Sequence, residues 1–153
     1  MPGQARSFAM SFRGKMEREE AQAKLREYRA RALHYLRNAG EELQAGHSEK
    51  AGEALWGALS QGIKAVALSK GVLLRDHRSL VRFGRALARD LQDITLDKAL
   101  AIGQQIHANF YEGFSDLEQI REDYLVIEEA LRRLLTLMEG TGQKKGNGDG
   151  QTH

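Results

Sequence analysis

The sequence predicts an all-α protein, folded as an up-down bundle of four to five helices. Apolar residues recur at intervals of three and four along five segments of the chain. The single proline stands at position 2, and no alternating run rich in valine or isoleucine indicates a strand. At 153 residues, with 41% hydrophobic and 29% charged residues, the chain has the length and composition of one soluble domain.

The first two predicted helices are separated by a short turn. Gly46 is expected to end the first, at 19–45, because glycine adopts the left-handed conformation without strain. Ser48 is expected to cap the second, which runs to Gly71 and is apolar on almost every side. A helix with so narrow a polar stripe is predicted to be the central one. The apolar stripe of the first helix is Leu25, Tyr28, Ala32, Leu36, Ala39 and Leu43.

Capping residues mark the starts of the three later helices. Asp76 is expected to cap the third, and Thr95 the fourth, at 96–112. Ser115 and Glu118 have the spacing of a capping box at the start of the fifth. The regular apolar spacing of the fifth helix fits the near-parallel packing of helical bundles. Its apolar residues are Leu117, Ile120, Tyr124, Ile127, Leu131, Leu134 and Met138.

The two ends of the chain are predicted to lie outside the bundle domain, which covers 19–139. Residues 1–18 carry basic side chains but no continuous apolar run, and we expect a flexible arm. Residues 140–153 include five glycines in fourteen positions, and this composition predicts a disordered tail.

The composition also restricts the classes of function. Cysteine is absent, which excludes disulfides and thiolate chemistry and fits the reducing cytoplasm. The formal net charge is only +2, so a basic binding site would have to be local. No apolar run approaches the roughly 18 residues of a membrane span. We expect a cytoplasmic protein without a membrane partner, and the sequence indicates no metal and no cofactor.

The most specific pattern is a row of arginines on the predicted third helix, at 77–92. At about 100° per residue the four side chains project within a sector of about 60°. Arg75 and His77 extend the row into the preceding turn. Guanidinium groups suit phosphates, so this helix is predicted to bind a nucleotide, RNA or another phosphate-bearing ligand, with His77 orienting a phosphate at the helix start. The four arginines are Arg78, Arg82, Arg85 and Arg89.

A second candidate cluster lies in the stretch IHANFYEGF, at the end of the fourth predicted helix. His107 and Tyr111 are four residues apart on the flank of the apolar face, whereas Asn109 and Glu112 share another face. One interpretation is a small polar pocket that also includes Lys64 of the second helix. The other is a set of boundary residues that bind polar partners between helices. A metal site is not favoured, because no second histidine lies one turn away.

Two stretches, EKAGEALWGALSQGIKAVALSKGVLLRDHRSL and IHANFYEGF, resemble the PaREP family, small helical proteins grouped with the HEPN superfamily. The resemblance covers about 30–138. It implies a HEPN-like bundle, commonly dimeric, and an association with RNA or with a nucleotidyltransferase partner. HEPN ribonucleases carry an arginine separated by four to six residues from a histidine in a late helix. Upstream of His107 these positions hold Leu100, Ala101 and Ile102, so the ribonuclease motif is missing there.

Together these observations predict a non-catalytic HEPN-like domain that forms a homodimer or higher homo-oligomer and binds a phosphate-bearing ligand along the third helix. One alternative is a structural module that forms a homo-oligomer, with the arginines paired across a subunit interface. Another is a ribonuclease-like enzyme with a non-standard site at His107, Tyr111 and Glu112. We assign no catalytic residue from the sequence.

Overall fold

A computed structural model describes the backbone of residues 15–112 and 116–151, and the side chains of residues 17–108 and 116–139. Within these residues the chain forms five α-helices and no strand, which confirms the predicted all-α fold. The helices are α1 (Lys15–Gln44), α2 (Ser48–Ser69), α3 (His77–Leu91), α4 (Ile94–Glu112) and α5 (Leu117–Gln151).

The second helix, α2, is the centre of the molecule. It contacts each of the other four helices, whereas α3 contacts only α2 and α4 within the described residues. Eleven of the 22 residues of α2 are buried. The prediction of a central second helix is therefore confirmed, and its physical reason is the narrow polar stripe.

The glycines of α2 show how the helices run. A Cβ added to Gly52 would lie 3.0 Å from Ile106 of α4 and 3.5 Å from Ile120 of α5. Ten residues later, a Cβ on Gly62 would lie 2.5 Å from Leu131. Hence α2 runs parallel to α5, because residue numbers increase in the same direction along the two helices at successive contacts. Side chains, not a neighbouring backbone, fill the space that these glycines leave.

The third helix packs on the outside of the bundle, against α2 and α4. At Gly84, an added Cβ would lie 3.0 Å from Leu100 of α4 and 3.3 Å from Ile63 of α2. The buried face of α3 also includes Leu80 and Leu87. Since one side of α3 is held by these contacts, its opposite side is presented to solvent.

The predicted cap of α3 is confirmed. The carboxylate of Asp76 accepts a hydrogen bond of 2.8 Å from the backbone N–H of Ser79. The Asp76 amide in turn donates to the Ser79 hydroxyl, which completes a capping box. This box fixes the point at which the arginine-bearing helix begins.

The other predicted caps differ from the structure by one or two residues. The fourth helix begins at Ile94, and the carboxylate of Asp93, not Thr95, accepts from the backbone N–H of Leu96 at 3.0 Å. The second helix begins at Ser48 itself, so Ser48 lies inside the helix that it was expected to cap. Ser115 lies outside the described residues.

The first and last helices extend into the segments predicted to lie outside the bundle. The backbone of α5 continues to Gln151, within the segment 140–153 for which a disordered tail is predicted. The first helix begins at Lys15, and residues 1–14 lie outside the described part of the chain. The division into arm, bundle and tail stays a prediction.

No described helix has the length and apolarity required to cross a lipid bilayer.

Candidate functional site

Four exposed arginines, called the arginine row below, lie along α3. The buried face of this helix, with Leu80, Leu87 and Ala88, packs toward α2 and α4, so the row projects away from the bundle. The row extends over eleven residue steps, or about 16 Å of helix. A single rigid element therefore presents all four guanidinium groups. They belong to Arg78, Arg82, Arg85 and Arg89.

The arginine row lacks ion pairs within the described residues. No Asp or Glu oxygen of that part of the chain lies within 4.0 Å of any of the four guanidinium groups. Some arginines on other helices do have such partners: Arg31 pairs with Glu27 at 2.8 Å, and Arg132 with Glu129 at 3.2 Å. Within the described residues, the arginine row therefore differs from these paired arginines.

Carboxylates do lie near the two ends of the row. At its start, the pKa of Asp76 is lowered, chiefly by the hydrogen bonds from the Ser79 backbone and hydroxyl, and further by Arg78 and Arg82. This carboxylate already occupies the capping position of α3. The position that a phosphate would take at the helix start is therefore occupied, which does not favour the expected role of His77 in orienting a phosphate there. Arg75 is exposed and lies just before the cap.

At its other end the row borders a shallow cavity where α3 turns into α4. Arg85 and Arg89 line it together with Asp93 and Asp97. Ile94 also lines this cavity and is 73% exposed. The patch thus combines both signs of charge with an uncovered apolar side chain.

Three rings from three helices meet beside the start of α3. The imidazoles of His77 and His107 are stacked, with centroids 5.3 Å apart and planes at 23°. The indole of Trp56 lies 5.5 Å from His77 and 6.2 Å from His107, tilted against both. We call Trp56, His77 and His107 the ring cluster. His77 is exposed, and the other two are half-buried.

The ring cluster joins residues that the sequence assigned to two different sites. His77 was grouped with the arginines and His107 with a polar pocket, and Trp56 was not considered as a site residue. The only sequence signal for their meeting is Gly103, one turn before His107. Its missing side chain leaves room for the Trp56 indole, which lies directly over it.

The predicted polar pocket is not assembled by Lys64. The Lys64 ammonium lies 6.0 Å from the centroid of the Tyr28 ring, toward α1. Lys64 also follows Trp56 by eight residues, which is about 12 Å along the helix. The side chains of Asn109, Tyr111 and Glu112 lie outside the described residues, so their part of that prediction stays a prediction.

The described residues contain no group of three or more histidine, aspartate or glutamate side chains placed to hold a metal ion.

Comparison with known proteins gives a family and nothing finer. The model of the archaeal PaREP1/PaREP8 family matches residues 27–131, about two-thirds of the chain. No curated protein and no solved structure matches the sequence or the fold.

Proposed function

The chain belongs to the archaeal PaREP1/PaREP8 family, and from this premise we propose that it binds RNA along the arginine row without cleaving it. The observation that carries the proposal is the set of four exposed guanidinium groups without a carboxylate oxygen within 4.0 Å among the described residues. Guanidinium groups form charge-assisted hydrogen bonds to phosphate oxygens, and a row of them suits a polymer of phosphates.

Repulsion among the four guanidinium groups favours the binding of an external polyanion. Successive members of the row are three or four residues apart, which places them at neighbouring positions on one helix face. Like charges at this spacing destabilise a helix, because each repels the next. A phosphate backbone laid along the row would replace this repulsion with attraction and release the counterions that screen it.

The expected chemistry is binding rather than catalysis. No arginine precedes His107 at the interval that the HEPN ribonucleases use. The row itself contains neither a nucleophile nor a general base. Membership of the HEPN superfamily, a homodimeric state and a nucleotidyltransferase partner are parts of the same proposal, since they were implied by the family resemblance alone.

Salt dependence of RNA binding tests the proposal. For single strands, the logarithm of the binding constant falls with the logarithm of salt concentration by about 0.7 per neutralised phosphate. Four contacts correspond to a slope of about −3. We expect a fluorescently labelled single-stranded RNA to bind with a slope of this size, measured by fluorescence anisotropy between low and moderate salt.

A matched pair of variants assigns the effect to α3. The double substitution Arg82→Gln/Arg85→Gln should weaken RNA binding at least about tenfold and reduce the slope by about 1.4. The control Arg132→Gln/Arg133→Gln removes the same charge from exposed arginines that are already paired with Glu129. Equal losses in the two double variants, or RNA binding that is independent of salt, would contradict the proposal.

A second candidate function is self-association, and the cavity between α3 and α4 favours it. Arg85 and Arg89 lie beside Asp93 and Asp97 in one patch, with the exposed Ile94 among them. In a two-fold symmetric dimer, the same patch on both copies would bring arginines of one copy to aspartates of the other. The arginines would then have a structural role.

Oligomeric state separates this candidate from RNA binding. If the patch forms a dimer, Ile94→Asp should convert a dimer into a monomer in light scattering on a sizing column. Leu125 of α5, an exposed apolar residue outside this patch and 63% accessible, offers the control Leu125→Asp. A wild-type protein that is monomeric at every concentration would exclude the dimer and leave the RNA proposal in place.

A further inference from the structure

The ring cluster lies at the start of the arginine row, and we infer that it binds an unpaired base of single-stranded RNA. This inference rests on the proposed function, because the arginine row would hold the phosphates of the same strand. It adds the class of RNA: a strand with unstacked bases rather than a duplex.

The geometry of the cluster suits a stacking platform. Its two imidazoles already lie almost parallel, with centroids 5.3 Å apart, and the indole closes a third side at 5.5 Å from His77. A planar base extends such a stack with its own π-face, and histidine and tryptophan rings both serve this purpose in RNA recognition.

The cluster is open at one end. His77 is exposed although two rings contact it, and Trp56 is only half-buried. A ring cluster that served the core alone would be covered by apolar side chains of neighbouring helices. Here the uncovered part belongs to the residue that begins α3.

The cluster is also held in place by three separate helices. Trp56 comes from α2, His77 from α3 and His107 from α4. The indole is supported from below by the backbone at Gly103, where a side chain would collide with it. Rings fixed in this way lose little freedom when a base is added, and preorganisation of this kind strengthens binding.

The ring cluster is adjacent to the first arginine of the row. His77 directly precedes Arg78, the first member of the row, and Arg75 lies exposed two residues earlier. His77 projects about 100° around α3 from Arg78, toward α2 and α4. A strand with a phosphate at Arg78 would therefore have a base on the flank of the helix, where the rings lie.

A duplex does not offer this contact, because its bases are stacked inside the helix. We therefore expect single-stranded RNA to bind more tightly than either a duplex or a strand of the same length that lacks bases. A loss of one stacked base corresponds to a change of about 5- to 10-fold or more in affinity.

The test uses three probes of about eight nucleotides: single-stranded RNA, the same sugar-phosphate backbone with abasic positions, and an RNA duplex. Trp56 is the only tryptophan of the chain, so its fluorescence reports on the cluster directly. We expect the single strand to change this fluorescence and to bind about 5- to 10-fold more tightly than the abasic strand.

Variants of His77 complete the test. His77→Ala should remove the preference for bases and leave affinity for the abasic strand unchanged, whereas His77→Phe should retain the preference. His47→Ala is the control, since His47 is an exposed histidine outside the ring cluster, in the turn between α1 and α2, where it contacts Glu42. Far-ultraviolet circular dichroism verifies that each variant is folded.

The outcomes distinguish the inference from the proposed function. If His77→Ala keeps the full preference for the base-containing strand, the ring cluster is not the base site, even where arginine variants still weaken binding. If variants of the arginine row bind every probe as the wild type does, the proposed function fails and the inference fails with it. Both are supported if the arginine variants weaken binding of every probe and His77→Ala removes only the preference for the base-containing strand.

Discussion

Gly103 of α4 lies directly beneath the indole of Trp56 of α2. A Cβ added to Gly103 would come within 2.6 Å of Cζ3 of the indole, a separation that real Cβ atoms do not show. The missing side chain therefore lets the indole lie across α4 and reach His77 and His107. One glycine on a buried helix face thus determines whether the ring cluster can form.

Replacing Gly103 with alanine should destabilise the protein and displace Trp56. Overpacking costs about 1–3 kcal/mol, and alanine returns roughly 1 kcal/mol of helix propensity. We expect a net loss of up to about 2 kcal/mol in the free energy of unfolding. Urea denaturation measures the loss, and a shift in Trp56 fluorescence reports the displacement.

Gly57→Ala is the matched control, because Gly57 also lies inside a helix and faces a ring. Its added Cβ would lie 3.2 Å from the Tyr35 ring, which is 36% exposed and has room to move. We expect this variant to be as stable as the wild type or more so. A Gly103→Ala protein as stable as Gly57→Ala would show that Trp56 is not fixed as described.

The Asp76 cap should make the stability of α3 depend on pH. The Ser79 hydrogen bonds, with help from Arg78 and Arg82, lower the folded-state pKa of Asp76. Since this folded pKa lies below the unfolded value, the stabilisation is present above the unfolded pKa and is lost as pH falls through the folded pKa. Asp76→Ala should therefore lower the unfolding temperature at pH 7 and have a diminishing effect in strong acid.

Asp76→Asn provides the control for this effect. Asparagine caps helices about as well as aspartate but carries no charge. It should be nearly as stable as the wild type at pH 7, and it should not show the loss of stability that protonation of Asp76 causes in acid. An unfolding temperature of Asp76→Ala equal to that of the wild type at neutral pH would contradict the capping role.

The sequence was a good guide to the helices and a poor one to contacts between them. Apolar spacing follows from the helical period, so the seam of α5 was predicted and its members Ile120, Ile127, Leu131 and Leu134 are buried. The cap of α4 was misplaced because Asp93 and Thr95 are both good acceptors. Which of them is used depends on how the chain leaves α3, through the left-handed Gln92.

The candidate sites were predictable only where one helix carries them. The arginine row lies on a single helix, so its common direction follows from residue spacing alone. The ring cluster joins positions 21 and 30 residues apart in sequence, and these separations follow from the positions of Trp56, His77 and His107. Their meeting depends on how three helices are placed, which no local pattern records. For the same reason, one of the two interpretations of His107 placed Lys64 beside it, whereas Lys64 lies near Tyr28.

The buried carboxyl of Asp123 should respond to pH in the opposite direction from Asp76. Burial raises its pKa above the ordinary value of 3.8, Glu122 raises it further, and the hydrogen bond from Gln119 opposes both. A raised folded pKa gives stability that is present below the unfolded pKa and lost as pH rises through the folded pKa. Asp123→Asn should therefore be at least as stable as the wild type at pH 7.

The stabilities of Asp123→Asn and the wild type are best compared over a range of pH. Asparagine keeps an oxygen that accepts from Gln119, so the hydrogen bond is retained while the charge is removed. The advantage of the variant at pH 7 should shrink as the pH falls toward 4. Glu122→Gln, an exposed neighbour with the same change of charge, should show a smaller dependence. A variant much less stable than the wild type at pH 7 would mean that the Asp123 charge stabilises the fold.

Removing one arginine from the row should stabilise the free protein. Arg82 has like-charged neighbours at Arg78 and Arg85, and each such pair destabilises a helix by about 0.2–0.5 kcal/mol. Arginine and glutamine have similar helix propensities. Arg82→Gln should therefore gain up to about 1 kcal/mol in low salt, measured by urea denaturation because urea adds no ions.

Arg132→Gln should have the opposite sign, since Arg132 pairs with Glu128 at 3.7 Å and with Glu129 at 3.2 Å. Both effects should shrink in about 1 M salt, where the screening length is only about 3 Å. Opposite signs that converge with salt would indicate that the row bears unrelieved repulsion in the free protein, as a surface for an anionic ligand does. A loss of stability in both variants would mean that the row is already neutralised, either by a second copy of the chain or by residues outside the described part.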